Sequence, residues 1–263
     1  CRRGESDAPV AIRNLKRFVM ERLGHDFYLS PVSVTRSQTI GIVGSGPTGL
    51  TAAQDLAEAG YEVHVYEKLD RPGGMMNVFP EFRIPRRIIE DDINRLLDHC
   101  PGVEVHYNCA LGDQISFQEL KKRHDAVLLA IGLWRNKTAG IPGEKDGLEG
   151  LYGIEFIDDL SKGIEIALSG KVIVIGGGNV AMDTARTALR VGAQEVQLYC
   201  LESREEMPAF KYEIAQAEKE GIVVHPSWGP KQILSRDGRV TGVEFRNCIF
   251  VFDSEGRFNP AYG

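Results

Sequence analysis

Twice in this chain a short apolar strand runs directly into a glycine-spaced turn and out into a helix. The first passage sets Thr39–Val43 before Gly44-Ser45-Gly46-Pro47-Thr48-Gly49, with a helical stretch over residues 48–59 and a second strand over 61–67. The second sets Lys171–Ile175 before Gly176-Gly177-Gly178-Asn179-Val180-Ala181, then a helix over 180–191 and a strand over 195–200. A strand, tight turn, helix and second strand within about thirty residues form a β-turn-α-β unit. The two units echo each other, because Glu62-Val63-His64-Val65-Tyr66-Glu67 aligns with Glu195-Val196-Gln197-Leu198-Tyr199-Cys200. Strands alternating with helices in this way predict a doubly wound α/β architecture.

The remaining periodicity fits that frame. Helices are expected over 91–100, 117–123 and 209–220, and strands over 103–107 and 222–225. The continuous apolar run at 126–131 is expected to be a strand buried on both faces of a parallel sheet. Near the carboxyl end, 232–235 and 240–252 read as antiparallel strands about the turn Asp237-Gly238. At the amino end, Val10, Ile12, Leu15, Phe18, Val19 and Leu23 follow a helical period, and Gly24 is a plausible stop. Three segments result: a helical remnant and linker at 1–36, a first dinucleotide domain at 37–153 and a second at 154–263.

Bulk properties narrow the class. A formal net charge of −6, with no block of Lys and Arg, argues against a nucleic-acid surface. No stretch approaches the roughly 18 apolar residues of a membrane helix. The five cysteines, Cys1, Cys100, Cys109, Cys200 and Cys248, are scattered and never form a C-x-x-C pair. That usage suits a reducing, cytoplasmic protein and removes the redox disulfide that a thioredoxin-reductase-like enzyme requires. The bland reading, small buried hydrophobes, fits all but Cys1. The chain opens on Cys1 rather than Met, so an upstream segment is expected.

The first turn carries chemistry as well as shape. Gly44 permits the tight turn, Gly46 lets backbone approach a pyrophosphate, and Gly49 lets helix and strand pack closely. The helix start offers free N–H groups and a positive dipole end to phosphates. Glu67 ends the second strand, 21 residues after Gly46, where a carboxylate accepts from ribose hydroxyls. Beyond it, Arg71-Pro72-Gly73-Gly74-Met75 is either a surface turn or a second backbone approach to the same ligand.

At this point the sequence resembles the two-dinucleotide-binding flavoproteins. The stretch Phe79-Pro80-Glu81-Phe82-Arg83-Ile84-Pro85-Arg86 is similar to the "IPEFRLPK" segment of the glutamate synthase small-subunit family, which includes the flavin module of dihydropyrimidine dehydrogenase. Leu129-Ala130-Ile131-Gly132 resembles that family's "A-T-G" strand end, with Ile131 in place of Thr. The resemblance implies FAD held by Gly44, Ser45, Gly46, Pro47, Thr48, Gly49, Glu67, Lys68, Gly73, Gly74, Met75, Arg83, Ala130 and Gly132. It implies a nicotinamide domain inserted in the FAD domain, and the family's closing Gly-Asp segment has no counterpart before Gly263. Cys1-Arg2-Arg3-Gly4 resembles the join to a cysteine-rich domain, so Cys1 is expected to ligate an iron–sulfur cluster only together with upstream cysteines.

The second turn is G-x-G-x-x-A, with Ala181 an accepted variant of the third glycine. The resemblance makes it the NAD(P)H site, formed by Gly176, Gly177, Gly178, Asn179, Val180, Ala181, Glu202, Ser203 and Arg204. Asn179 is expected near the cofactor phosphates or nicotinamide. Cys200 stands where the first unit has Glu67 and accepts poorly from a ribose hydroxyl. Glu202 favours NADH by accepting from the 2′-OH and repelling a 2′-phosphate, whereas Ser203 and Arg204 suit NADPH. The residues lean to NADH. The implied function is hydride transfer from NAD(P)H to FAD, then passage of electrons to an iron–sulfur cluster or partner subunit. A flavin enzyme acting directly on an organic substrate and a non-catalytic scaffold subunit are the alternatives.

Overall fold

The computed structural model describes residues 2–24, 29–135, 138–144 and 152–263; Cys1 lies outside them. The chain forms two compact units. Cys1–Gly73 and Arg87–Ile131 make the first, and Gly74–Arg86 and Gly132–Gly263 the second.

In the first unit, α1 (Ile12–Leu23) ends at Gly24, whose φ is +55°. Its apolar residues Ile12, Leu15, Phe18 and Val19 remain exposed. The strands β1 (Thr39–Val43), β2 (Glu62–Tyr66), β3 (Val103–His106) and β4 (Ala126–Leu129) form a parallel sheet in the order β3-β2-β1-β4. Between them run α2 (Pro47–Glu58), α3 (Arg86–His99) and α4 (Phe117–Arg123). Side chains alternate across a strand, so Ile42, Val63 and Val65 share one face and pack on Ala53 of α2. Val43 and Tyr66 point the other way and pack on Ile115 and on Leu120 of α4. Ser116 and Glu119 close α4 with a reciprocal capping box.

β4 corrects the expectation of a strand buried on both faces. It is an edge strand, and Leu129 and Ile131 are 51% and 60% exposed. An apolar run alone does not say whether a sheet continues beyond it, and among the described residues this one does not.

The second unit opens on α5 (Gly153–Ser161). β5 (Lys171–Ile175), β6 (Glu195–Tyr199) and β7 (Val223–His225) follow in a parallel sheet of that order, with α6 (Asn179–Arg190) and α7 (Lys211–Lys219) as crossovers. Met182 and Ala185 of α6, Val196 and Leu198 of β6, and Ile214 and Ala217 of α7 are buried together. An antiparallel sheet of β8 (Trp228–Arg236), β9 (Arg239–Phe252) and β10 (Phe258–Tyr262) completes it. Asp237 and Gly238 have φ of +52° and +73°, the two left-handed residues of a tight hairpin turn.

On the α6–α7 side, Glu220 accepts from Arg186 Nη2 at 2.8 Å and from Arg190 Nη1 at 2.7 Å. The Arg190 hydrogen bond, ahead of Arg186, holds its carboxyl down at about 2. A carboxyl whose folded pKa lies below its unfolded value stabilises the fold above that unfolded value, and loses this as pH falls through the folded one. Glu220→Gln should therefore lower Tm by roughly 2–4 °C at pH 7, the scale of about 1 kcal/mol in a chain of this size. Thermal melts should show that gap closing between pH 5 and pH 2. A gap independent of pH would contradict the pairing.

Candidate functional site

In the first turn Gly44 has φ +101°. A Cβ there would lie 2.5 Å from the Ala130 carbonyl oxygen, and a Cβ on Gly49 would strike the Gly44 carbonyl oxygen. Both positions therefore require glycine for packing, and Ala130 stands beside the turn. Gly46 is the N-cap of α2, Pro47 occupies its first turn, and no side chain caps the helix. Helices α5 and α7 are likewise uncapped, but aromatic residues stand at their N-caps. At Gly46 no side chain caps the first N–H groups, which leaves them to an anion.

Glu67 is buried, and its role is wider than the sequence suggests. Oε2 accepts from Ser45 N at 2.9 Å and Ser45 Oγ at 2.5 Å, and Oε1 accepts from Leu69 N at 2.9 Å. The Ser45 carbonyl in turn accepts from Gly73 N at 2.8 Å. Ser45, Glu67 and Gly73 are thus one hydrogen-bonded cluster, which holds the glycine turn against the strand end and the following loop. Gly73 and Gly74 have φ of +112° and +54°, so the pair is glycine for backbone reasons. Thr48 and Lys68 are exposed. Gly132, at φ +68°, is exposed, and Met75 is half-buried; both belong to the second unit.

The second turn is looser. A Cβ on Gly176 would sit 3.5 Å from Ala181 Cβ, ordinary contact, which explains why alanine suffices there. Gly178 is the N-cap of α6, again without a side-chain cap, and an added Cβ would meet nothing within 4 Å. Val180 is exposed on the first turn of that helix. Asn179 Oδ1 accepts from Phe210 N at 2.9 Å, and the Gly177 carbonyl accepts from Ala209 N at 3.0 Å. The segment before α7 is thereby fastened to the turn, a task the sequence did not reveal for Asn179.

β6 ends at Tyr199 as β2 ends at Tyr66, so Cys200 is the structural counterpart of Glu67. Cys200 is buried, and burial pushes its thiol up to about 12. The carboxylate at this strand end comes instead from Glu202, whose Oε2 would lie 2.7 Å from a Cβ on Gly177. Arg204 is drawn away to Glu218 on α7 at 2.6 Å, and Ser203 Oγ donates to Glu206 at 2.7 Å.

Arg83 belongs to the second unit. Its Nε lies 2.5 Å from Asp183 Oδ1 and its Nη2 lies 2.6 Å from Glu213 Oε2, both on nearly buried carboxylates. Arg186 extends the network to Glu213 and Glu220, and the guanidinium carbons of Arg186 and Arg190 lie 4.5 and 4.0 Å from the centroid of the Phe82 ring. Burial, opposed by Arg83, raises the Asp183 carboxyl to about 6. Phe82-Arg83 and Asp183 are distant in sequence, and no local pattern carries the link.

Two parallel sheets, each with a glycine turn opening a helix, define a dinucleotide-dependent oxidoreductase fold. Residues 38–249 match the pyridine nucleotide-disulphide oxidoreductase family, and the chain belongs to it. It is similar to the NADP(+)-dependent formate dehydrogenase subunit beta of Moorella thermoacetica, 37% identical over 99% of this chain and 40% of that protein. It is also similar to the glutamate synthase [NADPH] small chain of Azospirillum brasilense, 33% identical over 95% of this chain and 55% of that one. These relatives agree with the glutamate synthase-like resemblance of the motifs. The chain spans about two fifths of the length of the first of them and about half of the second. In fold it matches FprA of Mycobacterium tuberculosis with a TM-score of 0.74 at 22% identity, over 86% of this chain and 67% of that one. The described cysteines are free, with no C-x-x-C pair, and burial raises the thiols of Cys100, Cys200 and Cys248.

Removing one partner of a buried ion pair leaves its carboxylates uncompensated. Arg83→Ala should destabilise the protein by about 3 kcal/mol in chemical denaturation, the low end of the range for a buried pair broken on one side. Adding Asp183→Asn to that variant should recover part of the loss. Additive effects of the two substitutions would rule out the coupling.

Proposed function

We propose that this chain is the flavin- and nicotinamide-binding portion of an NAD(P)H-dependent FAD oxidoreductase that sends electrons on to iron–sulfur clusters or a partner subunit. FAD is assigned to the first turn and to residues 37–153, and the nicotinamide dinucleotide to the second turn and residues 154–263. The observation that carries the reading is Gly178. It is glycine at a helix N-cap where, among the described residues, an added Cβ would meet nothing within 4 Å, so its missing side chain leaves room for something that approaches from outside. When bound, FAD supplies the hydride-accepting and electron-relaying chemistry.

The chain's own residues bind and orient. Gly44, Gly46, Pro47 and Gly49 present the start of α2 to a pyrophosphate, while Ser45 and Gly73 hold Glu67 at the strand end toward a ribose. Gly176, Gly178 and Ala181 do the same at α6. Of the flavin residues, Gly74, Met75, Arg83 and Gly132 belong to the second unit. The electron acceptor is proposed from the chain's relatives, which are named as subunits and a small chain of larger enzymes. Among the described residues no helix is long and apolar enough to cross a membrane, and the scattered free thiols suit the cytoplasm.

Gly46→Val should abolish FAD retention in the purified protein, read as flavin absorbance per chain; undiminished flavin would overturn the assignment of the first turn. Gly178→Val should keep FAD and weaken binding of NADH and NADPH at least tenfold by calorimetry. Equal loss of FAD there would mean that the two turns are misassigned.

For the choice of nicotinamide, Glu202 is set over the second turn, and Arg204 is engaged by Glu218. A carboxylate facing a 2′-phosphate with no cation beside it is unfavourable. This chain should therefore prefer NADH, although the relatives above are named for NADP(H). Glu202→Ala should shift the ratio of kcat/KM values toward NADPH by about tenfold, equivalent to about 1.4 kcal/mol. A wild-type preference for NADPH that collapses in Arg204→Ala would assign the specificity to Arg204 instead.

A further inference from the structure

The face of the first sheet turned away from α2 carries an unusual set of side chains below Tyr66. The two-residue period of a strand puts Glu62, His64 and Tyr66 on that face of β2, and Glu104 and His106 on the same face of β3. Their register pairs His64 with Glu104 and Tyr66 with His106. The His64 and His106 rings stack at 5.4 Å, and His64 Nδ1 lies 3.1 Å from His106 Nε2. Glu104 Oε2 lies 3.5 Å from the same Nδ1. One donor atom from each of His64, Glu104 and His106 falls within 4.8 Å of the others.

The donor atoms of this cluster converge in a way that suits a cation. Glu62 Oε1 stands 3.1 Å from His64 Nε2, and a carboxylate only accepts, so in the neutral ring that nitrogen carries the hydrogen and Nδ1 presents a lone pair. That lone pair faces a carboxylate oxygen of Glu104. A hydrogen on His106 Nε2 would satisfy His64 Nδ1 but leave Glu104 Oε2 opposed to it. A metal ion between the three satisfies all of them. With metal–nitrogen bonds of about 2.0–2.1 Å, neighbouring donors of a tetrahedron are about 3.3 Å apart. The His64–His106 and His64–Glu104 separations of 3.1 and 3.5 Å are edges of that size, and the third pair lies within 4.8 Å.

The outer contacts follow the same pattern. A metal-bound histidine commonly donates its other ring N–H to a carboxylate, which fixes the ring and its tautomer. Glu62 does this for His64. The third imidazole nearby is already committed, since His124 Nε2 meets the Tyr66 hydroxyl at 2.9 Å and its Nδ1 meets Thr39 Oγ1 at 3.3 Å. Glu104 is 64% exposed in its side chain and His106 31%, so water reaches the fourth position.

We infer that His64, His106 and Glu104 form a site for one divalent transition-metal ion of the zinc type, with Glu62 orienting His64. Neither the dinucleotide chemistry nor the family match assigns these residues a role.

The test is calorimetric titration of the purified, chelator-washed protein with Zn2+, together with metal analysis after gel filtration. Wild type should retain one equivalent of zinc that is lost, with affinity lowered by at least tenfold, in Glu104→Gln and in His106→Gln. Glu62→Gln should keep the stoichiometry but weaken binding about tenfold, the usual scale for an orienting carboxylate. Glu104 is exposed, so its variant should melt like wild type and report on the metal alone. No retained zinc in wild type, or equal retention in wild type and in Glu104→Gln, would overturn the assignment.

Discussion

Helix α2 reaches strand β1 because two glycines meet across the first turn. A side chain on Gly49 would occupy the place of the Gly44 carbonyl oxygen, and one on Gly44 would press on the Ala130 carbonyl. This contact sets where the start of α2 lies, and with it where N–H groups and a positive dipole end are offered. The Ser45–Glu67–Gly73 hydrogen bonds then hold the turn to the strand end. The second turn relaxes the constraint by one methyl group, since Ala181 fits where Gly49 must be glycine. Its glycines divide the work differently: Gly177 makes room for Glu202, and Gly178 leaves open space.

Much of this was legible in the sequence. The strands at 39–43 and 171–175 and the helix at 117–123 fall at their expected bounds, because strong period and explicit turn or cap residues mark both ends. The equivalence of Glu67 and Cys200 also held, since both follow a strand of the same length from the same kind of turn. Other features depend on facts that no local pattern carries. β10 is interrupted by Pro260 in its own sequence, and it exists because β9 offers it an edge. β4 reads as a central strand by composition and is an edge by topology. α3 begins at Arg86, straight after Pro85 and five residues before its expected start, because the first turn carries polar residues that hide the apolar period.

The partners of polar side chains were the least legible. Glu67 reads as a ribose acceptor, yet it also fastens the turn through Ser45. Asn179 reads as a phosphate neighbour, yet its oxygen anchors Phe210. Arg83 sits in a segment whose resemblance points to flavin, yet its guanidinium is committed to Asp183 and Glu213. Each of these contacts joins positions tens of residues apart. Such contacts are fixed by the packing of the folded chain, and the charged ones by burial, where an unpaired charge is costly, rather than by spacing along the chain. The histidine cluster on β2 and β3 is of the same kind: alternation gives the face, and only the register brings His64 opposite Glu104.

The proposed function has two glycine turns on two parallel sheets serve one hydride transfer. The most direct measurement is an anaerobic titration of the purified protein with NADH, following the flavin absorbance. The account predicts bound FAD that is fully bleached at one NADH per flavin. Protein that carries no flavin, or flavin that neither NADH nor NADPH reduces, would contradict it.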